Sequence, residues 1–463
     1  MKKLLMCTFC LFLLGFSWIL VWGMSNLRIE AEAQSNYINI AKLNIYHREY
    51  ITAVAPLQRA IAINHSRKSE AVELLLETYI NLGYIQEYYR LLRSVLHNPL
   101  VEEGVLMRAA QREFSNRNYA DGLAILREGL TVTERSSNEM KALFEQYRYT
   151  WFFLNDVVYD YLSVFYNGWL QAKRDGYWGL LDTRGRIIIP HMYEKISTAE
   201  AYLLVKKDGE IFFINDENQR RLLVIEPGVS DFANIMQSIT AFEINGRWRI
   251  TAIDGDQDSR NIDLGQIFLN FGTFEYDFVG AFSNDRIAVG RNGQYGLLDI
   301  NANFILEMIY DGIITDDLGR SFAQNAVFVR LDNHVYMVYD GIRRNITFED
   351  AHPFSDNGLA AVMNNGLWGF VNTEGRLIID YSFNNARSFH SCQISSHNGL
   401  APVQHGVFWG YIDEALTGGR PVVEGPFLEA RPFYNGVAPV RIQDGWRLIK
   451  LYNAERGRMI NVN

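Results

Sequence analysis

Eight times between Phe165 and the C-terminus the chain repeats one short pattern: a glycine turn, an aromatic residue, often a second glycine, then an apolar run. The clearest copies are Gly176-Tyr177-Trp178-Gly179, Gly293-Gln294-Tyr295-Gly296, Gly366-Leu367-Trp368-Gly369 and Gly406-Val407-Phe408-Trp409-Gly410. Weaker copies stand at Gly209-Glu210-Ile211-Phe212, Gly246-Arg247-Trp248, Asn333-His334-Val335-Tyr336 and Gly445-Trp446. Their aromatics, at 178, 212, 248, 295, 336, 368, 409 and 446, follow one another at intervals of 32 to 47 residues. Spacing of that order marks a repeat architecture, in which each unit buries its apolar face only against its neighbours.

Within a unit the apolar pattern has period two, punctuated by turns, which predicts strands. In the sixth unit Leu359 to Met363 reads as a strand, Asn364-Asn365-Gly366 as a hairpin turn, and Leu367 to Val371 as a second strand. Asn372-Thr373-Glu374-Gly375 is then a turn before a third strand, Arg376 to Asp380. Phe165-Tyr166-Asn167-Gly168 before the first unit is identical to Phe433-Tyr434-Asn435-Gly436 before the last, which places the β domain at 165–463. Three or four strands per unit, eight times, predict a β-propeller, with an open β-solenoid as the alternative.

These units resemble the WG-repeat (KWG-type) family, whose core reads G-x-W-G followed by an aromatic or leucine, an aliphatic residue and Asp or Asn. Gly176–Asp182 and Gly366–Asn372 match it closely, Gly406–Asp413 carries one extra residue, and Gly293–Asp299 has Tyr295 for tryptophan. The resemblance covers about 165–460 and, in a family found mainly in bacterial proteins, implies an architecture and a surface location more than an activity. The motif needs no chemistry to explain it. The first glycine supplies a turn, the tryptophan buries a large rigid surface, and the second glycine admits a close neighbour. Trp178, Gly179, Tyr295, Gly296, Trp368, Gly369, Trp409 and Gly410 are therefore expected to be structural.

Upstream, residues 31–135 carry helical spacing. Tyr50, Ala53, Leu57 and Ala60 recur 34 residues later as Tyr84, Glu87, Leu91 and Ser94, and 35 residues after that as Tyr119, Gly122, Leu126 and Gly129. Ala41, Leu75 and Ala110 keep register in the preceding helices. Three such helix pairs resemble tetratricopeptide (TPR) repeats, with Glu87 departing from the family's alanine. The resemblance implies an α-solenoid whose first helices line a groove for a peptide, with Ile38, Lys42, Tyr46, Val72, Tyr79, Met107 and Gln111 as candidate ligand-binding residues. Residues 136–164 are expected to form an aromatic-rich capping helix, opened by a Ser136/Glu139 capping box.

Residues 1–30 read as a membrane anchor or signal. Met1-Lys2-Lys3 precedes 21 uncharged residues, 4–24, long enough to span a bilayer. By the positive-inside rule the N-terminus is cytoplasmic and the bulk extracytoplasmic, at the inner or cytoplasmic membrane. The alternative is a secreted or periplasmic protein, cleaved after Ala31-Glu32-Ala33.

A formal net charge of −9 disfavours a nucleic-acid partner. Cys7 and Cys10 lie in the apolar run, so Cys392 is the sole cysteine beyond it. No nucleophile motif, phosphate loop or metal-ligand spacing occurs. Asp254-Gly255-Asp256-Gln257-Asp258 opens like a calcium loop but lacks the glycine and closing glutamate. The expectation is a non-catalytic, membrane-anchored envelope scaffold with no cofactor or metal, binding protein or peptide partners. The alternative is a propeller that binds or hydrolyses glycan, peptidoglycan included.

Overall fold

The computed structural model describes residues 27–132, 137–198, 203–214, 220–223, 228–252, 261–262, 275–389, 399–413 and 420–455. They form two compact units. One comprises the described residues up to Thr150 together with those from Tyr452; the other is Trp151–Leu451.

The first unit is helical. Its helices are α1 (27–46), α2 (Tyr50–Ala62), α3 (Lys68–Leu82), α4 (Ile85–Val95), α5 (Glu103–Ser115), α6 (Tyr119–Gly129) and α7 (Asn138–Arg148). The small or apolar residues kept in register, Ala41, Leu75 and Ala110, are all buried. Gly83 ends α3 in the left-handed conformation, its N–H returning to the carbonyl of Ile80. In α4 the sequence offset is displaced by one residue. Tyr88, Leu92 and Val95 face the core, while Glu87 lies at the surface beside Arg90. That rotation resolves the misfit of Glu87, because a carboxylate stays in water where the 34-residue register would have buried it.

The segment expected to cap the helices differs from the reading. Ser137 caps α7, accepting from the Met140 N–H, but the helix ends at Arg148. The aromatic run beyond it is extended, with strands at Trp151–Phe153 and Tyr161–Tyr166. Alternating aromatic and β-branched residues fit a half-buried pleat better than a helix. The β unit consequently begins at Trp151, ahead of the expected Phe165.

That unit is an eight-bladed β-propeller. Blade 1 is a four-stranded antiparallel meander, Tyr161–Tyr166, Trp169–Arg174, Tyr177–Asp182 and Ile187–Tyr193. The following blades occupy 195–223, 229–252, 278–310, 312–348, 350–383, 385–427 and 429–451. From blade 4 onward each opens with a two-residue inner strand, such as Asp350–Ala351, ahead of the longer strands read from the sequence. The last blade supplies only three strands from its own end of the chain. Its fourth is Trp151–Phe153, which pairs antiparallel with Gly445–Leu451. The ring is thereby closed, which overturns the open β-solenoid. Phe165 of the first blade and Tyr434 of the last stack at 5.5 Å across this seam, which explains why the two flanking tetrapeptides are alike.

The membrane anchor is corrected. Among the described residues no helix is long and apolar enough to cross a membrane. Residues 4–24, on which that expectation rested, lie outside the described residues, so a single-pass anchor and the location built on it are not supported.

Candidate functional site

The repeated motif is structural, and its geometry shows why. Asp175-Gly176, Asn292-Gly293 and Asn365-Gly366 each place two successive residues at positive φ, between 51° and 84°, as a type I′ hairpin requires. Next along, the outer strand of the blade bulges. Trp368 faces Phe383 but Phe370 faces Ile379, so the Ile379 carbonyl folds over Gly369. A Cβ on Gly369 would stand 2.7 Å from that oxygen; the matching distances are 2.5 Å at Gly179 and Gly296 and 2.7 Å at Gly410. Trp368 and Trp409 are buried, while Trp178 and Tyr295 are partly covered.

The helical candidates separate into two groups. Ile38, Val72 and Tyr79 are buried in the helical core and line no groove, because their face packs between helices. Met107 is half-buried against the same core, Lys42 pairs with Glu70 at 2.6 Å, and Tyr46 and Gln111 are exposed. The structure brings no polar constellation together from this set.

The constellation lies instead at the centre of the propeller. In blades 2 to 8 the residue after the inner strand donates its N–H to the neighbouring strand at an equivalent rung: Ser197, Ala233, Gly280, Ile314, His352, Arg387 and Arg431. Ser163 holds the place in blade 1, its hydroxyl accepting from Gln171 as the Ser197 hydroxyl accepts from Leu204. The wall is thus small or apolar through blade 5 and basic in the three blades that follow. Each basic group lies against its own blade's tryptophan. His352 stacks on Trp368 with centroids 5.1 Å apart, Arg387 lies 5.8 Å from Trp409, and Arg431 lies 5.0 Å from Trp446.

Blade 5 supplies the counter-charge. Its connector from Gly312–Ile313 to Ala326–Leu331 is longer than its counterpart in blade 6, which joins Asp350–Ala351 to Leu359–Asn364. The extra length contains Asp316-Asp317-Leu318-Gly319-Arg320. Asp316 accepts from the backbone N–H of Leu318 and Arg320 and from Arg320 Nε. Asp182 makes the same three kinds of bond, to Arg184 and Arg186, in the outer turn of blade 1. A turn module of the blade exterior is therefore reused inside the ring. It is tied there by Asn234, which donates to the Leu318 carbonyl, and by the Ala281 N–H, which donates to the Gly319 carbonyl at 2.7 Å.

The turn carries Asp317 to the arginines. Arg387 Nη1 donates to Asp317 Oδ2 at 2.6 Å, and Arg431 Nη1 donates to the same oxygen. Glu429 Oε1 takes Arg387 Nη2 at 3.0 Å, and Arg431 Nη2 reaches the Tyr161 hydroxyl at 3.2 Å. Blades 1, 5, 7 and 8 are thus joined across the channel. Burial would raise the Asp317 carboxyl, but Arg387 and Arg431 outweigh it and hold it below the usual carboxylate range. Burial, with Arg387 close by, lowers His352 and favours its neutral form. Asp317 also divides two cavities. One, of about 590 Å³, opens where the second and third strands turn and is lined by Asp160, Tyr161, Gln171, Lys173 and Trp178. The other, of about 110 Å³, lies among the inner connectors beside His352, Phe354 and Arg387.

The sequence reading passed over Asp317, His352, Arg387, Glu429 and Arg431. Two signals were present in it: Asp316–Arg320 repeats the Asp182–Arg186 turn out of phase, and Ala351-His352, Ala386-Arg387 and Ala430-Arg431 share one position in successive units. Among the described residues no group of three His, Cys, Asp or Glu is arranged to hold a metal ion. The acidic run at 254–258 lies outside the described residues.

The fold and motif define a β-propeller built from WG repeats. A family model described as "WG containing repeat" matches residues 178–210, 273–295, 345–368, 368–406 and 409–446, so the C-terminal region carries WG repeats. No curated relative matches the chain. Similar solved structures include Kluyveromyces lactis Hsv2, at 11% identity and TM-score 0.34, covering 61% of this chain and 93% of that one. The Neurospora crassa Pan2 WD40 domain has 8% identity and TM-score 0.36 over 66% and 96%. Apo AztD from Citrobacter koseri has 9% identity and TM-score 0.35 over 61% and 88%. At this level of similarity they carry no argument about function.

Proposed function

We propose that the chain is a non-catalytic protein-interaction scaffold that binds its partner on the propeller face where the second and third strands of each blade turn. The observation that supports this is apolar exposure at those turns. Tyr177 is 52% exposed, Val407 72% and Phe408 48%, and Leu367 is exposed at the same point of blade 6. These residues stand beside the buried Trp368 and Trp409 and the partly covered Trp178, so the exposure belongs to the variable position of the repeat and not to a loose core. Apolar side chains grouped at one end of a ring fit a protein partner better than a soluble small molecule. The helix pairs, offset by 34 and 35 residues, are read as TPR-like and as a second binding element.

The test is crosslinking capture from native extracts by the full chain and by a Val407→Asp/Phe408→Asp variant of unchanged melting temperature. A protein captured by the wild type and lost by the variant supports the reading. Retention on peptidoglycan or another polysaccharide without any protein partner sinks it.

A further inference from the structure

We propose that Arg387 and Arg431 form a carboxylate-binding site at the floor of the channel, that Asp317 is its built-in occupant, and that an acidic side chain of a partner protein competes with Asp317 for it. The proposal deepens the scaffold reading and rests on it for the existence of a protein partner.

Four observations carry it. First, the wall position is occupied by small or apolar residues in blades 1 to 5 and by the neutral His352 in blade 6, and carries arginine only in blades 7 and 8, so this charge is not a requirement of the repeat. Second, the arginines are held before any ligand arrives. Arg431 is 4% exposed and lies against both Trp446 and Tyr161, and Arg387 lies against Trp409. Such a pair is pre-organised for a planar anion and loses little freedom on binding one. Third, the present occupant satisfies it incompletely. Both guanidinium groups converge on one oxygen of Asp317 and both reach Glu429 Oε1, at 3.0 and 3.3 Å, yet the buried Nε atoms of Arg387 and Arg431 have no hydrogen-bond partner among the described residues. Buried cations left partly unsatisfied cost stability, and a carboxylate presented from another direction offers the paired fork geometry that Asp317 does not. Fourth, the occupant can be reached. Asp317 and Tyr161, which both bond Arg431, form part of the wall of the 590 Å³ cavity on the proposed partner face, while Arg387 lines the 110 Å³ cavity on the other side of Asp317; the larger volume admits an extended acidic side chain as far as Asp317.

The occupant is also separable from the fold. The ring is closed by the Trp151–Phe153 strand, and the Asp316–Arg320 turn is shaped by its own hydrogen bonds. Replacing the Asp317 carboxylate by an amide therefore removes one of the two carboxylates on the arginines, leaving Glu429, without dismantling the turn.

Fluorescence polarisation of labelled hexaglutamate against the full-length chain tests this. Asp317→Asn is expected to bind at least tenfold tighter than the wild type, with affinity falling as salt rises, and Asp317→Asn/Arg387→Gln is expected to lose the gain. Equal binding by wild type and a folded Asp317→Asn overturns the site and leaves the cluster as a brace between blades. Should Asp317→Asn fail to fold, wild type titrated to high peptide concentration decides. Weak binding abolished by Arg387→Gln supports the site, and binding indifferent to that change overturns it. If the peptide fails while capture sensitive to Val407 and Phe408 persists, the scaffold reading stands and this one falls.

Discussion

Trp151 and Leu451, the first and last residues of the propeller unit, are partners across one antiparallel ladder. The Trp151 indole N–H donates to the Glu424 carbonyl at 2.9 Å, and its ring lies 5.1 Å from Phe427 in the preceding blade. Closure thus depends on residues about three hundred positions apart in sequence. Truncation of this half-buried ring by Trp151→Ala is expected to cost about 2–3 kcal/mol, at or below the lower end for large aromatics. Urea unfolding followed by tryptophan fluorescence measures it; a loss under about 0.5 kcal/mol, the level of a neutral surface change, contradicts a closing role.

The two glycines of one motif should respond differently. Gly366 sits at φ 72° with open space around its absent Cβ, so Gly366→Ala is expected to cost about 1 kcal/mol of backbone strain. At Gly369 the Cβ would meet the Ile379 carbonyl, and the bulged strand must move. A cost of about 2–4 kcal/mol is expected there. Thermal unfolding of the two variants side by side gives the order.

Trp368 belongs to an apolar cluster that spans two blades, with Phe383 of its own blade and Ala386 and Ala401 of the next, and stacks on His352. Trp368→Ala is expected to destabilise by about 3–5 kcal/mol. A variant of unchanged stability would remove tryptophan from the core and return it to ligand stacking.

Acid should act on the channel in two steps. His352 titrates lower folded than unfolded, so its contribution is complete above about pH 6.5 and is lost as pH falls from there. Asp317 is also depressed, so the contribution of its charge is complete above its unfolded value of about 3.9 and is lost as pH falls below it. His352→Gln is therefore expected to flatten the stability profile below about pH 6.5, and Asp317→Asn to flatten it only below about pH 4. Facing His352 are Trp368, Arg387, Asp316, Asp317 and Asp350. Chemical denaturation at stepped pH resolves the two.

Arg431→Met keeps the bulk of the side chain and removes its charge, leaving Asp317 one guanidinium short. A loss of about 3 kcal/mol is expected, and the double variant Arg431→Met/Asp317→Asn should recover part of it. A double-mutant cycle measures the coupling; none means the two groups do not act as a pair.

Turns, strands and blade count were legible in the chain because each is decided within one unit. Asn365-Gly366 admits left-handed backbone, Leu359 to Met363 alternates, and the pattern returns eight times. The same locality misled at 149–164, where an aromatic run was read as helix although Trp151–Phe153 pairs with residues 449–451 and Tyr159 with Trp446. It misled again at Ile38, Val72 and Tyr79, whose helical spacing names a face without saying what covers it. Tertiary structure alone decided closure by Trp151–Phe153 and the meeting of Asp317 with Arg387 and Arg431. Those contacts join residues 70 and 114 positions apart, and the Arg431–Tyr161 bond spans 270. Periodicity carries no information on such pairs, because a ring brings to its centre positions that the chain itself never places together.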